Sequence, residues 1–121
     1  MNNGTAAAWD ASRVRLWLES RLSAAKLEQA AADRRGYEAQ GDYDKAAAEE
    51  WVSRALLATD CTTDQAALAG RVKALLAQDE YRITGIYDDR RFDRGVRAQL
   101  RKIAKMTKAN EGFANLLRYQ D

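Results

Sequence analysis

Residues 90–108 read RRFDRGVRAQLRKIAKMTK, and this stretch constrains the fold more than any other. At ~100° per residue, Arg90, Arg94, Arg97, Arg101, Lys105 and Lys108 fall on one narrow face of a single helix. Phe92, Val96, Leu100, Ile103 and Met106 fall on the opposite face. One side is therefore built to dock on a core, and the other offers a row of cations. Such a row repels itself and is most at ease beside something anionic, a phosphate backbone or an acidic protein surface.

The rest of the chain is compatible with helices throughout. No proline occurs in the 121 residues, and long stretches are dominated by alanine, leucine, arginine, glutamate and glutamine, all strong helix formers. A β-protein would need more valine, isoleucine and threonine and many turns. The balance of 46% hydrophobic and 31% charged residues is that of a globular chain, not a disordered one. The expectation is an all-α protein, a compact bundle of four to five helices with a long N-terminal helical hairpin. It forms a single domain over residues 1–121.

The first helix is expected from Thr5 or Asp10 to Gly36 or Gly41, with two apolar stripes. Val14, Leu18, Leu22 and Ala25 make one; Trp9, Leu16 and Leu27 make the other, nearly opposite. That pattern suits a helix at the centre of a bundle, or one with a second face for a partner protein, for which Trp9, Leu16 and Leu27 are the candidate interface residues. Gly41-Asp42 reads as a tight turn into a heavily buried second helix from Tyr43 to Thr59. Thr62 and Gln65 have the spacing of a capping box before a third helix, Asp64 to Gln78. Residues 80–87 read as an ordered connector, Asp88 and Asp89 as caps of the basic helix, and Asn110 as the cap of a short final helix carrying Phe113, Leu116 and Leu117.

Charge is unevenly spread. Residues 1–80 hold 10 Lys/Arg against 13 Asp/Glu, a net −3, whereas residues 81–121 hold 10 against 5, a net +5. Solvated helices interleave acids with bases at i, i+4, but Asp93 is the only acid between Arg90 and Lys108. Clustered cations along one helix are the electrostatic footprint of nucleic-acid binders. The candidate nucleic-acid-binding residues are therefore Arg90, Arg94, Arg97, Arg101, Lys105 and Lys108, widened by Arg91 and Lys102. Arginine forks and mobile lysines suit phosphate oxygens. Base reading is not indicated, since Gln99 lies off that face. Tyr81, Tyr87 and Tyr119, beside Arg82 and Arg118, could stack on unpaired bases.

For catalysis the signals are negative. There is no histidine, which removes the commonest general base and metal ligand, and no glycine-rich phosphate loop. Cys61 is the single cysteine, so no internal disulfide or zinc cluster is expected and a reducing, cytoplasmic setting is the simplest. Asp88, Asp89 and Asp93 face competition from neighbouring arginines, and Glu49 and Glu50 point ~100° apart. No catalytic residue, metal or cofactor is expected. Neither is a secretory signal or a membrane span.

Around the first turn, Tyr37, Gly41, Tyr43 and Ala46 resemble the hairpin of a tetratricopeptide repeat over about ten residues. Arg34, Glu50, Ser53 and Ala58 depart from that pattern and there is no second copy, so the resemblance implies a tight helical hairpin and nothing more. A helix-turn-helix built from residues 64–78 and 90–108 is disfavoured by its long connection. In size, helicity and lopsided charge the chain resembles the helical small subunits of RNA-guided CRISPR effector complexes. That resemblance implies a non-enzymatic, backbone-binding subunit or accessory of a larger nucleoprotein complex. The alternative is a protein–protein interaction module, or a phage-type inhibitor covering a host protein's acidic or nucleic-acid-binding surface.

Overall fold

The computed structural model describes residues 9–78 and 89–109. These form four α-helices and one 3₁₀ turn: α1 (Ala11–Arg35), the turn (Gly36–Ala39), α2 (Gln40–Leu57), α3 (Gln65–Leu76) and α4 (Asp89–Ala109). The described residues are thus all-helical. The connector over residues 80–87, Asp88 and the final helix from Asn110 lie outside them, as do Tyr81, Tyr87, Tyr119, Arg82 and Arg118.

Helix α1 starts where a carboxylate can satisfy a free backbone donor: the Asp10 side chain accepts from the Arg13 N–H at 3.1 Å. It ends at Gly36, whose φ of 81° and ψ of −153° lie in a region that essentially only glycine occupies. Its N–H donates back to the Ala32 and Asp33 carbonyls. The reversal therefore sits at Gly36, not at Gly41-Asp42, and Gly41 is already inside α2. Either glycine could end a helix; the chain reverses five residues earlier and α2 gains a turn at its start.

The returning α2 runs antiparallel to α1 and is the central helix, packed by α1 on one side and by α4, with α3, on the other. Of the two places that suit the apolar stripes of α1, the bundle centre goes to α2; among the described elements the α1 backbone lies close to α2 and the 3₁₀ turn, and only its side chains reach the shared core. The reason lies in three consecutive alanines, Ala46, Ala47 and Ala48, all buried. Their small side chains cover more than half the helix circumference and let helices approach from both sides. Polar groups tie the hairpin along its edge. Arg21 Nη2 meets Glu49 Oε2 at 2.9 Å, while Glu50 accepts from Gln29 and from Arg54.

Helices α2 and α4 run in the same direction, Arg91 meeting Asp44 and Gly95 meeting Ala48, and they come close at Gly95. A Cβ added there would lie 2.7 Å from the Ala48 Cβ, far inside van der Waals contact. Around this point Phe92, Val96, Leu100 and Ile103 of α4 join Val52 and Leu56 of α2, Val14, Trp17 and Leu18 of α1, and Leu68, Val72 and Leu75 of α3 in one core. Phe92 meets Trp51 edge to face, with ring centroids 6.5 Å apart. Trp17 is buried and is among the largest side chains in that core.

Trp9 departs from the expected second stripe. It precedes the α1 N-cap, so helical phase does not govern it. Its indole Nε1 donates to the Thr62 carbonyl at 2.9 Å, and its ring packs against the core. Leu16 and Leu27 remain on the outer face of α1, 57% and 71% exposed.

Two outcomes follow. Gly95→Ala should destabilise the protein by about 1–3 kcal/mol in chemical denaturation, because the added methyl has only a rigid neighbour to push against. Ala48→Gly in the same chain should recover part of that loss. Glu50 gives a pH dependence. Partial burial pushes its carboxyl upward, but hydrogen bonds from Arg54 and Gln29 and the charges of Arg54 and Lys26 outweigh this and hold it below its ordinary value. A depressed folded pKa contributes stability above the unfolded value of ~4.3 and loses it as pH falls through the folded one. Denaturation midpoints should therefore drop below about pH 4.5, with a shallower drop in Glu50→Gln.

Candidate nucleic-acid interface

The cations of α4 are not equivalent once the helix is docked. Asp93, Ala104 and Arg97 lie along the edge facing α3, and Arg91 lies along the edge facing α2. Between the two edges the exposed arc carries Arg90, Arg94, Ala98, Arg101, Lys102, Lys105 and Lys108. Apart from Ala98, every residue on that arc is basic.

Arg97 is turned inward. Its Nε donates to Asp93 Oδ2 at 3.0 Å, its Nη1 to the Leu76 carbonyl at 3.2 Å and its Nη2 to the Gln78 carbonyl at 3.0 Å. Leu76 is the last residue of α3, where helical carbonyls lack intrahelical partners and the dipole favours a cation, and Gln78 lies two residues beyond it. Arg97 is thus the cap of α3. A reciprocal clamp closes the other end of the pair: Gln65 Nε2 donates to the Thr107 carbonyl at 2.6 Å and the Lys108 carbonyl at 3.3 Å, near the end of α4. Gln65 therefore serves α4 and not a capping box with Thr62. Asp64 is the α3 N-cap, accepting from the Ala67 N–H at 2.7 Å.

Arg91 has a structural partner too. Asp44 on α2 is 0% exposed and accepts from Arg91 Nη1 at 3.0 Å and from Gln40 Nε2 at 2.8 Å. A buried carboxylate without a cation would be costly, so this arginine, itself partly exposed, neutralises it.

Among the described residues no hydrogen bond or ion pair engages the side chains of Arg94, Arg101, Lys102, Lys105 or Lys108. Arg94 and Lys108 stand about 21 Å apart along the axis. Gln99 is buried on the opposite side, where it cannot reach a ligand on this arc.

Other candidate chemistry is engaged in structure. Cys61 is buried and its thiol donates to the Leu56 carbonyl at 3.1 Å, at the end of α2. Glu49 and Glu50 are each taken up by α1 partners, and Asp93 holds Arg97. Among the described residues no group of three His, Cys, Asp or Glu side chains is placed to hold a metal ion, and no helix is long and apolar enough to cross a membrane.

The division of the arginines has a measurable consequence. Arg97→Gln should cost about 1–2 kcal/mol of stability, since it strips a charged donor from the α3 carbonyls. Arg101→Gln should stay within about 0.5 kcal/mol of wild type in the same urea titration. Comparison of the chain with protein-family models, with curated proteins and with solved structures finds no match.

Proposed function

We propose that the protein is a non-enzymatic nucleic-acid-backbone binder whose contact surface is the exposed arc of α4. The observation that carries this reading is the run Arg94, Arg101, Lys102, Lys105 and Lys108, exposed and unneutralised among the described residues. Like charges held on one rigid face repel one another, and a phosphate backbone is a polyanion that relieves this along its whole length. Arg91 and Arg97 serve the reading indirectly: one anchors α4 to α2 and the other anchors it to α3, so the arc is held on a fixed support.

The contacts are to phosphate, with no base reading. Arginine forks match phosphate oxygens and the lysines act as mobile point charges, while no amide side chain is placed on the arc to discriminate bases. The exposed Leu16 and Leu27 on α1 support a role as one component of a larger nucleoprotein assembly, with a protein contact on the face of the hairpin away from α4.

Salt dependence tests the reading. If five cations each neutralise one phosphate, the slope of log K against log salt on duplex should be about −4.5. Replacing Arg94, Arg101, Lys105 and Lys108 by glutamine should reduce it to about −1 with helicity unchanged by circular dichroism. Failure of wild type to bind labelled RNA or DNA at low salt would remove the proposal and leave an acidic protein surface as the partner of this arc.

A further inference from the structure

A second surface lies beside the arc and differs from it in chemistry. Between α3 and α4 runs an open groove of about 530 Å³ whose floor is Ala69, Val72, Leu76 and Ala104. Lys73 stands on the α3 wall and Lys108 on the α4 wall, and no carboxylate is among the lining residues. The outward side of α3 beside this groove is also unusual for a helix that meets only water. Ala66, Ala69, Gly70, Ala74 and Ala77 are all exposed, and Lys73 is the one charged residue among the exposed positions from 65 to 77. A Cβ built on Gly70 would meet nothing within 4 Å, so no neighbour in the described structure requires glycine there.

We infer that this groove is the docking site for an amphipathic helix of a partner protein, one whose apolar stripe is flanked by acidic residues. Small residues on α3 let a partner's backbone come close, the apolar floor takes side chains at i, i+3 or i+4 and i+7, and the lysines on the two walls meet carboxylates on either side of the stripe. Charge and the apolar floor together select this occupant over the others. A phosphate backbone could meet the lysines but has no apolar stripe to cover Ala69, Val72, Leu76 and Ala104. A second copy would have to offer the Leu16/Leu27 face of α1, where the exposed Lys26 and Arg34 outnumber Glu19 and would set a net positive surface against Lys73 and Lys108. The groove shares Lys108 with the arc of α4, but Ala69 and Lys73, the residues that distinguish the two surfaces, lie on α3.

The test uses the full chain and a fluorescein-labelled synthetic helix of about 16 residues, with leucines at one i, i+3, i+7 stripe and glutamates flanking it. Anisotropy should show saturable binding in moderate salt, weakened about tenfold by Ala69→Trp, which fills the groove, and about fivefold by Lys73→Glu. Both substitutions are at exposed positions, and both should leave phosphate-backbone binding intact. Arg101→Gln should leave peptide affinity unchanged, and a peptide with lysines in place of the glutamates should not bind. The inference is overturned if wild type fails to bind the acidic peptide. It is equally overturned if folded Ala69→Trp and Lys73→Glu both bind as wild type does, because the α4 arc would then be attracting the peptide as a mere polyanion.

Discussion

The contact on which the rest of the structure depends is the near-touch of Gly95 on α4 and Ala48 on α2. With no side chain at one position and a single methyl at the other, the two backbones come close enough for Phe92 and Val96 to enter the same core as Val52 and Leu56. Any larger pair would lift α4 away and break the packing density on which core stability rests. The approach also fixes the rotation of α4 about its own axis. Once Gly95 faces α2, the exposed arc opposite the core is set, and with it which cations meet solvent.

Two further constraints hold that rotation. On the α2 side, the buried Asp44 carboxylate demands a cation and takes Arg91. On the α3 side, the carbonyls at the end of α3 take Arg97, while Gln65 serves those near the end of α4. The antiparallel α3–α4 pair is thus closed at both ends by side chains that satisfy helix termini, where backbone groups have no partner of their own. These bonds consume two arginines of the basic stretch and give the remaining cations a rigid mount. Rigidity matters for a charged surface, because a floppy row of lysines and arginines would lose more freedom on meeting a polyanion.

Local signals were readable where the cause is local. Asp10 stands at one of the two starts expected for α1, and the segregation of Phe92, Val96, Leu100, Ile103 and Met106 from the cations marks the buried side of α4, whereas the α3 cap is Asp64 and not the expected Thr62. Misreadings arose where two local solutions were equally good or where the cause was distant. Gly36 and Gly41 both suit a helix end, and the choice fell to the one whose positive φ lets α2 return along α1. Trp9 has the right spacing to share a stripe with Leu16 and Leu27, but it stands ahead of the helix and is held by Thr62, 53 residues away. The groove between α3 and α4 left no trace in the reading of either helix, because it exists only in the space between two segments whose small residues look unremarkable one at a time.

By itself, then, the amino-acid order determined that the chain is helical and that one helix near its end is apolar on one side and cationic on the other. Those properties follow from backbone propensity and the 3.6-residue period, which act over a few residues. Only the tertiary structure decided which cations are committed internally and which are exposed. A guanidinium has the same chemistry at 91, 94, 97 and 101. What separates them is the arrival of a buried carboxylate 47 residues distant for the first and of carbonyls 19 and 21 residues distant for the third. Neighbours brought by packing, and not the residue's own character, set its role.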